Sequence, residues 1–219
     1  MKLYKFEEKT DKDLQIGKII CLARTYKKHA EEMNSKITKK PLLFLKPASS
    51  VIFDGETIII PSISNSVHHE VELGIVIGKK GKNIAIEKAM NYILGYVLGL
   101  DITARDIQSE AKKNGWPWAI AKGFDTFAPI SNVIFKEKVK DPHNLDISLA
   151  VNNKIQQSSN TKNMVLSIPE IIKFVSNIMT LEPGDLILTG TPEGVSEIRK
   201  GDFIEAKLGD ICKLKINVR

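Results

Sequence analysis

The 219-residue chain has only two cysteines, and that scarcity excludes two kinds of protein at once. Cys21 and Cys212 stand far apart in apolar contexts, so they suit neither a disulfide framework nor the spacing of a zinc site. A reducing, cytoplasmic setting is the expectation. Long apolar runs are also missing. The longest candidate, YILGYVLGL at residues 92–100, falls far short of the ~20 residues that span a bilayer. No membrane partner is expected. The opening MKLYKFEEKTDKD is charged throughout and has no apolar segment of the kind a secretory signal needs. Basic blocks are absent as well. The net charge of +6 comes from scattered lysines without interleaved aromatics, so it reads as a solvated surface and no nucleic-acid partner is expected. There is no internal repeat and no low-complexity linker.

What is present is ordinary globular material. Apolar residues make up 42% and charged residues 26%, and 219 residues suit one domain, residues 1–219, with a sizeable core. Strand-like segments dominate: KIICLA, LLFLK, TIIIP, EVELGIVIG, ILGYVLGLDIT, LDISLAVN, DLILTG, DFIEAKL and CKLKINV. They are short, β-branched and punctuated by Gly, Pro, Asn and Asp. Helical signals are fewer: RTYKKHAEEM, AIEKAMNYI, TARDIQSEAKKN and SIPEIIKFVSNIM. The last has Ser167 as a candidate N-cap, Pro169 in its first turn and apolar residues at helical spacing. Many strands with a few interspersed helices, and no regular βαβ alternation, predict an α+β fold with a mixed, mostly antiparallel core.

Three carboxylates draw attention. In HHEVELGIVIG, Glu70 and Glu72 sit two apart at the head of an apolar run. On a strand they share one face, roughly 6.5–7 Å apart, with His68 beside them. Two carboxylates at that distance can reach one hard cation such as Mg2+ or Mn2+. They can equally be solvent-facing residues of an amphipathic strand. Asp101 ends the apolar stretch YILGYVLGL, and a carboxylate there is costly unless paired or metal-bound. Its other reading is the N-cap of the helix that follows, a role Thr103 can also fill. Together the three would give oxygens at strand ends with positions left open for substrate and water.

A second constellation lies upstream. His29 and Glu32 fall at i and i+3 of a helix, where a carboxylate orients the imidazole and makes it a better proton acceptor. A surface helix with a Lys28–Glu32 ion pair is the alternative. Arg24 precedes this helix and can fork a substrate carboxylate, or simply be solvated. Farther along, a helical TARDIQ puts Arg105 and Gln108 on one face, with a solvated helix as the alternative, and Gly190 and Pro192 make a tight turn that can present the hydroxyl and backbone N–H of Thr191.

Six ordered blocks, ARTYKKHAEEM, PLLFLKPASSV, HHEVELGIVIG, GLDITARDIQ, PWAIAKGFDTFAPI and LILTGTPEGV, resemble the fumarylacetoacetate hydrolase superfamily. The closer likeness is to its smaller acylpyruvase and oxaloacetate decarboxylase members, and it runs from about Lys18 to the C-terminus. The resemblance implies the mixed β-roll of that family's C-terminal domain and a homodimer, with residues 1–50 supplying a small N-terminal portion and a lid helix. It implies Glu70, Glu72 and Asp101 as ligands of Mg2+ or Mn2+. It implies His29 and Glu32 as a water-activating dyad, Lys122 as a catalytic lysine, and Arg105, Gln108 and Thr191 as substrate-binding residues, to which the position of Arg24 adds a fourth. The implied activity is C–C bond cleavage in short 2-oxo acids through an enolate: acylpyruvate hydrolysis, oxaloacetate decarboxylation, or both. Isomerisation of 2-hydroxyhepta-2,4-diene-1,7-dioate, or oxaloacetate tautomerisation, is the alternative in the same family.

Overall fold

The computed structural model describes residues 2–32 and 41–219. Among these, strands β1 to β4 are Ile19–Ala23, Leu42–Lys46, Val51–Phe53 and Thr57–Ile58, and β5 to β8 are Val67–His69, Val71–Ile77, Ile93–Leu100 and Thr103–Ala104. Strands β9 to β12 are Ala128–Ile130, Ile134–Phe135, Asp146–Val151 and Lys154–Asn160. Strands β13 to β16 are Leu186–Leu188, Ser196–Ile198, Phe203–Leu208 and Cys212–Val218. Helices α1 to α4 are Lys27–Glu32, Arg105–Asn114, Ala119–Lys122 and Ile168–Ile178.

The strands form three sheets. The largest runs β2-β1-β13-β6-β7-β9-β3, with β10 also paired to β7. A second runs β12-β11-β15-β16-β4, and a third β14-β5-β8. Pairing is antiparallel except for β1 with β13, β3 with β9 and β4 with β16. The fold is therefore the mixed, mostly antiparallel α+β architecture that the sequence predicts.

The central strands are apolar on both sides because both sides are covered. Along β6, Val71, Leu73, Ile75 and Ile77 enter the larger core, while Val76 enters a smaller one with Val97, Leu186 and Leu188. This double burial explains the near-continuous apolar runs, since a strand with one wet face would alternate. Helix α4 seals the larger core with Ile168, Ile171, Ile172 and Val175. Its start is fixed by a capping box between Ser167 and Glu170, with Pro169 in the first turn. No helix among the described residues is long and apolar enough to cross a membrane.

Several local expectations change. AIEKAMNYI is a 3-10 helix over Ile86–Tyr92 rather than an α-helix. TIIIP keeps only two strand residues, β4, because the paired length of β16 ends there. The HHEVELGIVIG strand breaks at Glu70, which lies between β5 and β6. Helix α1 is described to Glu32, and Met33 lies outside the described residues.

Candidate active site

The sheet register assembles the carboxylates. Strand β6 pairs with β7 so that Val71 faces Leu100 and Glu72 faces Gly99. Asp101, one residue past β7, then donates its backbone N–H to Glu70 O at 2.8 Å. Residues 31 apart in sequence thus come to share one strand end. Oxygens of Glu70, Glu72 and Asp101 all lie within 4.8 Å of one another, and all three residues are buried. Asp101 does not cap α2. The N-cap position is Ala104, with no side-chain cap, and the Asp101 carboxylate is turned instead to two lysines. His68 does not join the cluster; its Nε2 is hydrogen-bonded to Ser66.

Three cations answer two of the carboxylates, Glu70 and Asp101. Lys122, at the end of α3, gives its ammonium hydrogens to Asp101 Oδ2 at 2.5 Å, Thr103 Oγ1 at 2.6 Å and Glu70 Oε2 at 3.0 Å. All of its donors are used. Arg105 bonds Glu70 Oε1 through one nitrogen and Gln108 Oε1 at 2.7 Å through another. Lys46, at the end of β2, holds Asp101 Oδ1 at 2.7 Å and the carbonyl of Ile102 at 2.9 Å. Burial alone would raise the Glu70 carboxyl pKa, but Lys122 and Arg105 hold it well below the usual range. Burial would likewise lower that of the Lys122 ammonium, yet Asp101 and Glu70 keep it above its ordinary value.

Glu72 is different. It is 1% exposed, and among the described residues its carboxylate accepts one hydrogen bond, from the Gly190 N–H at 2.7 Å. No ammonium or guanidinium is bonded to it among the described residues. Burial, with Asp101 and Glu70 alongside, pushes its pKa well up. A hard dication between the three carboxylates would supply the missing positive charge, and three closely set oxygen donors are the ligand type such an ion takes. The donor set therefore fits Mg2+ or Mn2+.

The helix and the turns complete the site. His29 Nδ1 lies 3.2 Å from Glu32 Oε2, and the Glu32 carboxylate also accepts the Gly194 N–H at 3.1 and 3.2 Å. Lys28 pairs with Glu193, not with Glu32, so the alternative helix pairing does not form. Arg24 closes β1 at a φ of +66°, a backbone region few non-glycine residues occupy. Gly190 lies at φ +93°, and a Cβ there would collide with the Thr25 hydroxyl, so the turn that bonds Glu72 requires glycine.

These residues surround one cavity of about 40 Å³. Its walls include Arg24, His29, Glu70, Glu72, Asp101, Arg105, Gln108, Lys122 and Thr191. Of the metal, catalytic and substrate-binding residues expected from the sequence, only Glu32 stands back from the cavity, behind His29. Phe44, Lys112 and Trp118 also line it and were not anticipated, nor was Lys46 beneath it. Lys46 carried a readable signal: like Asp101, it is a charge ending an apolar run, just before Pro47.

Charged groups packed this densely and this deeply, around an accessible hollow, define an enzyme active site. The chain belongs to the fumarylacetoacetate hydrolase family: residues 18–219 match the family described as Fumarylacetoacetate (FAA) hydrolase C-terminal. It is 49% identical over 189 residues to the mitochondrial oxaloacetate decarboxylase of Dictyostelium discoideum, covering 86% of this chain and 87% of that one. It is 46% identical over 201 residues to the mitochondrial oxaloacetate tautomerase FAHD1 of Mus musculus, covering 92% and 90%. The fold superposes with a TM-score of 0.93, at 33% identity, on a fumarylpyruvate hydrolase from Pseudomonas aeruginosa in complex with Mn2+ and pyruvate, covering 98% and 94%.

Proposed function

We propose that this enzyme cleaves a C–C bond in short 2-oxo acids, hydrolysing acylpyruvates and decarboxylating oxaloacetate, with Mg2+ or Mn2+ held by Glu70, Glu72 and Asp101. The observation that carries this is the meeting of a buried carboxylate triad and a His29–Glu32 pair at one small cavity. The metal supplies Lewis acidity toward the 2-oxo group and its neighbouring charge. Arg24, Arg105, Gln108 and Thr191 bind and orient the 2-oxo carboxylate. Glu32, through His29, takes a proton from water, which adds to the distal carbonyl of an acylpyruvate. The bond between C3 and C4 then breaks, releasing a carboxylic acid and the pyruvate enolate, which is protonated to pyruvate. Lys122 has no donor left to give, so it acts on the developing anion through its charge and by fixing Glu70 and Asp101.

Oxaloacetate loses CO2 to the same enolate without water attack. The tautomerase activity in the name of the mouse relative needs only that enolate and a proton carrier, and is the second reading for this cavity. The same proposal takes residues 1–219 as one catalytic unit that works as a homodimer in a reducing, cytoplasmic setting. Leu45, Trp116 and Ile120, at 46, 56 and 64% exposure, give apolar surface for a second copy to cover. The free thiols of Cys21 and Cys212 suit that compartment.

The test is pyruvate release from acetylpyruvate and from oxaloacetate, with Mg2+ and with EDTA. EDTA-sensitive release from either supports the proposal, and from acetylpyruvate it supports hydrolysis as well. Release from neither, by folded protein that binds Mn2+, removes C–C cleavage and leaves tautomerisation.

A further inference from the structure

Behind the cavity lies a largely buried polar network that the mechanism above uses only at Thr191. Its centre is Gln157 on β12, whose side chain makes four hydrogen bonds with no water access. Oε1 accepts from the Val71 N–H at 3.0 Å and lies 2.9 Å from His69 Nδ1. Nε2 donates to Pro192 O at 2.9 Å and Thr191 Oγ1 at 2.8 Å. A β-bulge beside it, where β12 carries the extra residue Gln156 against Leu149 and Ala150, sets the direction of this side chain.

Two backbone groups fix every proton in this network. The Val71 N–H can only donate and the Pro192 carbonyl can only accept, so the amide has one orientation. His69 must then carry its hydrogen on Nδ1, and its Nε2 accepts from the Ser196 hydroxyl at 2.8 Å. Thr191 Oγ1 already accepts from Gln157, and its own hydrogen goes to Val71 O at 2.9 Å. The Thr191 hydroxyl therefore has no hydrogen left to give among these contacts, although the residue lines the cavity. Its backbone N–H has no partner among the described residues.

We infer that Gln157 is a positioning residue: it turns the Thr191 hydroxyl away from substrate and holds the Gly190–Pro192 turn so that the Thr191 backbone N–H is the donor to the substrate carboxylate. This rests on the reading of the cavity as a 2-oxo acid site. Gln157 touches both sides of that site, because Val71 separates Glu70 from Glu72 and the turn bonds Glu72 through Gly190.

The experiment measures pyruvate binding to the Mn2+-loaded protein by calorimetry, with the Mn2+ dissociation constant, Tm, KM and kcat. Thr191→Val removes only the hydroxyl. It lowers Tm, because Gln157 and Val71 each lose a partner, but shifts the pyruvate Kd by less than about threefold. Gln157→Glu keeps both acceptor bonds and loses both donor bonds. It raises the pyruvate Kd and KM about tenfold, on the order of 1.4 kcal/mol, with kcat and the Mn2+ Kd within about twofold. If Gln157→Glu does not fold, Gln157→Met carries the same expectation. Pyruvate binding weakened about tenfold or more by Thr191→Val, with Mn2+ affinity kept, makes the hydroxyl the donor and overturns the inference. A lower Tm in Gln157→Glu with pyruvate Kd and KM unchanged also overturns it, leaving Gln157 a structural residue. Wild-type protein that binds pyruvate but releases none from acetylpyruvate or oxaloacetate counts against the proposed reaction alone, and the binding results still decide this inference.

Discussion

Lys46 and Lys122 each hold one oxygen of the same buried carboxylate: Lys46 Nζ lies 2.7 Å from Asp101 Oδ1, and Lys122 Nζ lies 2.5 Å from Oδ2. Both ammonium groups are almost without solvent access. Asp101 thus has a cation on each oxygen in a place where a lone carboxylate would be costly. Replacing Lys46 by methionine keeps an unbranched apolar stem of about the same length and deletes the ammonium. One oxygen of Asp101 and the carbonyl of Ile102 then lose a partner. Breaking a buried pair from one side costs about 3–5 kcal/mol, which denaturant unfolding of the metal-free protein would register. A loss below about 1 kcal/mol would show that Lys122 alone neutralises the carboxylate.

On the proposed mechanism, Glu32 separates two reactions that share one cavity. Its carboxylate orients His29 and is itself anchored by the Gly194 N–H. Glu32→Gln preserves shape and removes the proton acceptor. Acylpyruvate hydrolysis falls by about 10²–10⁴ in kcat, the usual weight of a positioned base. Mn2+ binding stays, since Glu32 does not touch the carboxylate triad. Oxaloacetate decarboxylation, which needs no attacking water, is retained within about threefold. Equal loss of both activities would instead make Glu32 an organiser of the whole cavity.

Among the described residues Glu72 is the one carboxylate of the three to which no cation is bonded, and this sets how a bound metal and stability would be linked. Mn2+ at about 100 times its dissociation constant stabilises the native state by about 2.7 kcal/mol, roughly 5–10 °C in Tm for a chain of this size. Glu72→Gln abolishes that gain. The metal-free variant is no less stable than the metal-free wild type, because a neutral amide replaces a buried group whose charged form burial, Asp101 and Glu70 together disfavour. Thermal scans with Mn2+ and with EDTA check both halves. A large loss of metal-free stability would show that Glu72 is held charged by groups other than a metal.

Much of this site could be read from the chain because its chemistry violates local patterns. Glu70, Glu72 and Asp101 are charges at the ends of apolar runs, and such charges must be answered by something. The α4 start was equally legible, since Ser167, Pro169 and Glu170 each carry a local capping signal. What stayed hidden depends on pairing. The register that sets Asp101 opposite Glu70 follows from how β6 meets β7, which no local stretch encodes. Gln157 sits in KIQQSSN, a polar strand with nothing to mark one glutamine over its neighbour. Its burial is decided by the bulge at Leu149 and by the Gly190–Pro192 turn, more than 30 residues away. AIEKAMNYI has helical spacing but forms a 3-10 segment, because tertiary packing under α4 overrides a weak local preference.

Cys212 gives a check on the interior that is independent of the active site. Its thiol is pushed up to about 11 by burial, against the partial opposing effect of the Ser131 hydroxyl 3.7 Å away. A raised pKa means the protonated, unreactive thiol dominates at neutral pH, since the thiolate is the nucleophile. Alkylation by iodoacetamide should therefore be slow at pH 8 and rise about tenfold per pH unit up to pH 10, without levelling near the ~8.5 of a free thiol. Cys21, fully buried and raised by that burial, should stay unlabelled over the same range. Mass spectrometry of the alkylated peptides reads both sites in one experiment. A Cys212 rate that flattens near pH 8.5 would show an open thiol at the start of β16 and a last strand that lifts from Ser131 in solution. Unlabelled Cys21 beside it would confine that opening to the sheet edge and leave the interior beneath Asp101 closed.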